Sequence, residues 1–155
     1  MIITGQQLAG HLGKSIADLC SNGYNSAAEN HSAHFVSHVL GFQTGVTCQM
    51  MSASSKGPAA TLRVPDLFFR CRSVGAWSLR PASVRTALVF ITRAANVNLS
   101  TKVMANVPRT HVGIFAEGFV WHYSNSQQKV IRQTPAQFAL HYTAPDNAMF
   151  FGTVR

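Results

Sequence analysis

One hydroxyl and two histidines occupy positions that suit a nucleophile, its general base and the group that orients the base. Ser32 opens the apolar helical pattern Asn30-His31-Ser32-Ala33-His34-Phe35-Val36. His111 leads the strand-like run Thr110-His111-Val112-Gly113-Ile114-Phe115, and His122 follows in Val120-Trp121-His122. These are the three parts of acyl-transfer catalysis, and their chain order is immaterial if the fold brings them together.

The elements that must position them are legible in outline. A helix is expected from Ser32 to Leu40, stopped by Gly41, with Phe35, Val36, Val39 and Leu40 on its buried arc. Ser32 falls in the middle of that arc at the N-terminal end, where the helix dipole and free N–H groups stabilise negative charge. That place suits a thiolate nucleophile; the plainer reading is an N-cap serine. Ala116-Glu117-Gly118 reads as a tight turn, which makes the two histidine-bearing strands adjacent and antiparallel. With no Asp or Glu near either, His122 is the expected orienter of His111, and Asn125 the other candidate. Elsewhere, the capping box Thr4-Gly5-Gln6-Gln7 starts a helix expected over roughly 5–20, ended by Ser21-Asn22-Gly23. Gly45 to Met51 reads as a strand, and Ser52 to Pro58 as a loop. Pro65 suits the first turn of a short helix carrying Leu67, Phe68 and Cys71. Strands are expected at Leu88–Thr92, His111–Phe115, Phe119–Tyr123, Lys129–Arg132 and Met149–Val154, with a short helix after the capping box at Thr134. Helices first and strands afterwards make an α+β chain, and 155 residues without repeat or linker make one domain over 1–155.

Composition narrows the chemistry. The chain is 46% apolar and 12% charged, which is incompatible with disorder. Its five acids, Asp18, Glu29, Asp66, Glu117 and Asp146, are widely separated, which disfavours a glycosidase pair or a hard-metal site. The net charge of +8 suits nucleic acid, an anionic membrane or an acidic polymer such as a bacterial cell wall. The basic residues form no run; Arg85, Arg93, Arg109 and Arg132 flank apolar strands as solvated edges, so no nucleic-acid site is expected. Cys20, Cys48 and Cys71 are odd in number and lack a C-x-x-C spacing, which favours reduced, buried thiols over a disulfide or a zinc site. His31, His34 and His38 share a helical stripe that three zinc ligands could use. The stripe borders the buried arc without an H-E-x-x-H pattern, so it reads as a polar edge. No metal and no cofactor are expected. Met1 to Gly5 carry no basic region leading into an apolar run, and no stretch approaches membrane-span length. Both features lead to the expectation of a protein made soluble in the cytoplasm, without membrane insertion.

A helix-initiating nucleophile followed by Phe35-Val36, then His111-Val112-Gly113-Ile114-Phe115, then Val120-Trp121-His122 resembles the NlpC/P60 superfamily of papain-like cysteine amidases. Those enzymes cleave peptide amide bonds in peptidoglycan stems. The similarity covers most of residues 22–155, including a final strand ending in Arg155. It implies N-terminal helices packed on a central antiparallel sheet and a Cys-His-His-type site. Ser32 then holds the nucleophile position, His111 is the base and His122 the orienter. N–H groups at the start of the second helix would support the oxyanion. Tyr24 resembles a family tyrosine at that hole, and Trp121 is the further candidate for substrate contact. The chain departs from the family at His31, where Asp or Asn is usual, with Asn30 one position earlier. It departs again at Arg85-Thr86-Ala87 in place of Gly-Asp, and at Ser32 in place of cysteine. A thiol near pKa ~8.5 is activated by a helix N-terminus and a histidine, whereas a hydroxyl stays protonated. The simplest account of Ser32 is a cysteine replaced so as to silence the enzyme. A native non-catalytic wall- or partner-binding module comes second, a serine hydrolase third, and a papain-like deamidase or acyltransferase stands as different chemistry on the same scaffold. Together these features suggest an antibacterial effector delivered to the periplasm of a target bacterium by machinery such as type VI secretion. Its partners would be stem peptides and a cognate immunity protein.

Overall fold

A computed structural model describes residues 3–154; Met1, Ile2 and Arg155, which entered the readings of the N-terminus and of the final strand, lie outside the described residues. Five short helices come first: α1 Gly5–Ala9, α2 Ile16–Leu19, α3 Ser32–Leu40, α4 Cys48–Ser52 and α5 Val64–Arg70. Strands β1 Ser73–Ala76, β2 Thr86–Arg93, β3 Val97–Asn98, β4 Val103–Met104, β5 His111–Ala116, β6 Phe119–Ser124 and β7 Lys129–Gln133 follow, then α6 Pro135–Phe138 and β8 Asn147–Thr153. Six strands form one antiparallel sheet in the order β1-β8-β2-β5-β6-β7, and β3 and β4 form a separate pair. The chain is α+β. Among the described residues, no helix is long and apolar enough to cross a membrane.

Local signals set most boundaries. Helix α3 has the expected span, and Gly41 closes it in the left-handed conformation (φ 78°) that glycine adopts without a Cβ penalty. Thr4 and Thr134 each accept from the N–H three residues on, with Gln7 and Gln137 reaching back. Glu117 (φ 54°) and Gly118 (φ 82°) both take positive φ, as a two-residue hairpin turn requires.

Two expectations fail, and one strand was not expected. The helix expected over 5–20 is two helices. Gly13 turns left-handed (φ 80°) and donates to Val130 O at 2.9 Å, while Val130 N donates to Lys14 O at 3.0 Å, so this stretch lies against the edge of β7. The strand expected over 45–51 is α4, because Thr47 accepts from Met50 N as an N-cap; only Thr47, paired with Thr61, keeps a β-bridge. Strand β1 was unforeseen, since its short, half-buried sequence has no apolar alternation.

Helix α3 lies over β5 and β6. Phe35 and Val36 share one core with Val112, Ile114, Trp121 and Tyr123, and the Tyr123 hydroxyl accepts from Ile16 N at 3.2 Å. A second, smaller core holds Val89, Ile91, Phe115, Val120 and Phe138, where α6 returns. The mouth of the β5–β6 hairpin strands, away from their turn, is where the start of α3 arrives.

Candidate active site

Ser32 is the first helical residue of α3, and the N-cap position belongs to His31. The Ser32 Oγ is buried and has no hydrogen-bond partner, so the N-cap reading of this serine does not hold. Asn30 does the capping instead. Its Oδ1 accepts from Ser32 N at 2.9 Å and from Asn125 Nδ2 at 3.1 Å, while its Nδ2 donates to Thr110 O at 2.8 Å. Asn125 Oδ1 in turn accepts from His31 N at 2.9 Å. Two asparagines thus lash the first turn of α3 to the residue preceding His111 and to the end of β6. Asn125 is therefore a positioning residue for the helix rather than the orienter of His111. The Ser32 N–H, expected to face an oxyanion, is engaged by Asn30.

The two histidines meet as the hairpin reading requires. Strand register pairs Ile114 with Trp121 and Phe115 with Val120, which places His122 on the same face as His111 and diagonal to it. Between them lies Gly113: a Cβ there would stand 2.7 Å from Val120 Cγ1 and 3.0 Å from His122 Cβ. The missing side chain is what lets the His122 ring cross to His111. His111 Nε2 and His122 Nδ1 are 2.9 Å apart, and His122 Nε2 lies 2.7 Å from Gln133 Oε1. A carbonyl oxygen only accepts, so His122 carries its proton on Nε2 and accepts at Nδ1 from His111 Nε2–H. That leaves the lone pair of His111 on Nδ1, which is buried without a partner. Gln133 thereby sets the tautomer of both rings.

His141, in the loop after α6, stacks on His111 with ring centroids 3.9 Å apart. Burial, then His141 and His122, hold His111 well below its ordinary value. Burial takes His122 down to about 4 against the opposing pull of Gln133, and also lowers His141. No carboxylate acts on His111, so an imidazolium there lacks a countercharge while position 32 is a neutral hydroxyl.

Beside this cluster runs an open groove of about 830 Å3, bordered by Tyr24, Asn30, Asn125 and His141, with Arg63, Arg109 and a lone acid, Glu29, on its walls. Tyr24 lies on the groove wall, its ring edge-on to His31 and His34. Trp121 does not reach the groove: it packs in the core under α3, and its Nε1 donates to Ala116 O at 3.2 Å. The sequence reading missed Gln133 and His141. Gln133 could have been found by carrying period-two alternation through the β6–β7 hairpin, whereas no local spacing points to His141.

Among the described residues, two groups bring ligand-capable atoms within 4.8 Å of one another: His111, His122 and His141, and separately Cys20, His34, His38 and Cys48. In the first, His122 has both nitrogens engaged in the tautomer chain, which makes it a relay rather than a ligand. Comparison with protein-family models, with curated proteins and with solved structures returns no match to this chain.

Proposed function

We propose that this chain is a papain-like amidase domain of the NlpC/P60 type, built to cleave amide bonds in peptidoglycan stem peptides and held silent by Ser32. The observation that carries this reading is the chain Gln133–His122–His111, which leaves a bare, buried Nδ1 on the base, together with a partnerless Ser32 Oγ at the first turn of a buried helix. A serine hydrolase works by pairing its hydroxyl with the base at about 2.6–3.2 Å, and here Ser32 Oγ and His111 Nδ1 are both without a partner. A sulfur is larger, and it ionises. With cysteine at position 32, His111 Nδ1 takes the thiol proton, and the thiolate supplies the countercharge that the buried imidazolium lacks. The sulfur then attacks the amide carbonyl, His111 returns the proton to the departing amine, and water hydrolyses the thioester. Arg63 and Arg109 on the groove walls suit the carboxylates of stem peptides, and the +8 charge suits the anionic wall around them.

Ser32→Cys is expected to cleave purified muropeptides, with His111→Ala abolishing the gain. An unchanged muropeptide chromatogram refutes the catalytic reading. On the same reading the protein is an antibacterial effector, and the Ser32→Cys form lyses Gram-negative cells when directed to the periplasm but not when kept in the cytoplasm. Killing from the cytoplasm alone moves deamidation or acyl transfer ahead of wall hydrolysis.

One observation favours a second reading. Ser32 and His111 are closed to solvent while the groove beside them is open. A module that binds stem peptides without cutting them needs only the groove. It should then bind muropeptides as the Ser32 form by calorimetry, lose affinity in Arg63→Ala and Arg109→Ala, and gain no activity from Ser32→Cys.

A further inference from the structure

We propose that Cys20, His34, His38 and Cys48 form a structural Zn2+ site, separate from the groove. His34 and His38 stand one turn apart on α3, so both face the same way. Cys20 closes α2, and Cys48 opens α4. Their four ligand atoms lie within 4.8 Å of one another, and Cys48 Sγ is 4.0 Å from His38 Nε2. A tetrahedral zinc with bonds of about 2.3 Å to sulfur and about 2.0–2.1 Å to nitrogen sets its ligands roughly 3.3–3.8 Å apart. Contraction by at most about 1.5 Å closes this shell around the ion.

Surrounding groups prepare the four donors. His31 Nε2 donates to Ser26 O at 2.7 Å, so His31 Nδ1 accepts from His34 Nδ1–H at 3.0 Å. The lone pair of His34 is thereby fixed on Nε2, which is buried and has no hydrogen-bond partner. An outer-shell bond that fixes the tautomer of a ligating imidazole is the usual companion of a metal histidine. Asn22 Nδ2 donates to Cys48 Sγ at 3.2 Å, while Asn22 Oδ1 accepts from Gly57 N at 3.3 Å. Cys71 forms the contrast in its surroundings: it donates to Leu67 O at 3.3 Å and belongs to no such cluster among the described residues, although burial raises its thiol as it raises that of Cys20.

Zinc binding displaces one proton from each thiol to solvent, and two thiolates with two neutral imidazoles make the cluster electrically neutral, as a buried site requires. The lobe it would staple needs a cross-link. Apart from Cys20 and Cys48 themselves, its small core holds Ala60, with Tyr24 and Leu62 packed against it, and segment 41–63 has one five-residue helix and a single β-bridge. The ion would join the end of α2, the middle of α3 and the start of α4. Through His34 and His31 it would also steady the turn that presents Ser32.

The test is metal content and thiol chemistry of the whole chain, independent of any activity at Ser32. The purified protein is expected to hold one zinc per chain by mass spectrometric metal analysis. Cys20 and Cys48 should resist alkylation until a chelator removes the ion, and chelation should lower the Tm. Cys48→Ser and His34→Gln should lose the zinc. If those variants fail to fold, Co2+ titrated into the stripped, unaltered chain should give the visible bands of a tetrahedral site and a thiolate charge-transfer band. Absence of retained zinc together with no tetrahedral cobalt spectrum overturns the proposal. So does an intact mass lower by two hydrogens with a Cys20–Cys48 disulfide in the peptide map.

Discussion

Replacing Gln133 by leucine tests the tautomer chain directly. The Gln133 carbonyl lies 2.7 Å from His122 Nε2, and removing it leaves a buried N–H without an acceptor. Leaving such a donor unsatisfied costs about 1–3 kcal/mol. The molecule can avoid part of that cost by moving the His122 proton to Nδ1. That atom would then confront the N–H of His111 Nε2 across 2.9 Å, so the His111 proton would have to move to Nδ1 as well. The base would carry its proton on the atom that must accept one. If the whole cost falls on this tautomer equilibrium, the competent form drops roughly 5- to 150-fold, at about 1.4 kcal/mol per factor of ten. In the Ser32→Cys background, Gln133→Leu should therefore lower kcat by that range and leave KM nearly unchanged. Two-bond proton–nitrogen correlation spectra should show the His111 Nδ1 becoming protonated. Gln133→Glu, which keeps an acceptor, should retain most of the rate. A Gln133→Leu protein with unaltered turnover and an unaltered histidine spectrum refutes the chain as drawn.

Three further outcomes follow from the same geometry. Burial takes His122 from 6.5 to about 4, so between those values the unfolded chain binds a proton that the folded one refuses; stability should rise with pH across that interval and be complete above it, the loss at the acid end reaching about 3 kcal/mol for this ring. Urea midpoints at pH 7 and pH 4.5 read the effect, and an equal acid loss in His122→Asn would count against the assignment. Gly113→Ala should cost about 1–3 kcal/mol by denaturant unfolding, because its Cβ meets Val120 Cγ1 at 2.7 Å and Trp121 O at 3.1 Å on the facing strand; wild-type stability would show that the strands part freely. Asn30→Ala removes three hydrogen bonds at the start of α3 and should cost about 1–2 kcal/mol, and an unmoved urea midpoint would disprove its role as the strap.

The sequence by itself determined what depends on neighbours within a turn or a hairpin. The capping boxes at Thr4 and Thr134, the left-handed stop at Gly41 and the Glu117-Gly118 turn act through side chains and φ angles three or four residues apart, so their elements were readable. The hairpin turn also fixed that His111 and His122 would sit on paired strands, and the apolar arc of α3 that Ser32 would point inward. The tertiary structure decided how those pieces are held. Asn30 meets Thr110 and Asn125 across 80 and 95 residues, contacts that no spacing rule encodes. The first helix broke because the backbone at Gly13 and Lys14 pairs with β7, an edge whose position is set by the register of the sheet. His141 reaches His111 only because α6 folds back over the second core. Cys20 and Cys48 are the free, buried thiols that the sequence suggests, but their nearness to His34 and His38 is set by how α2 and α4 pack around α3, and one-dimensional spacing carries no record of that packing.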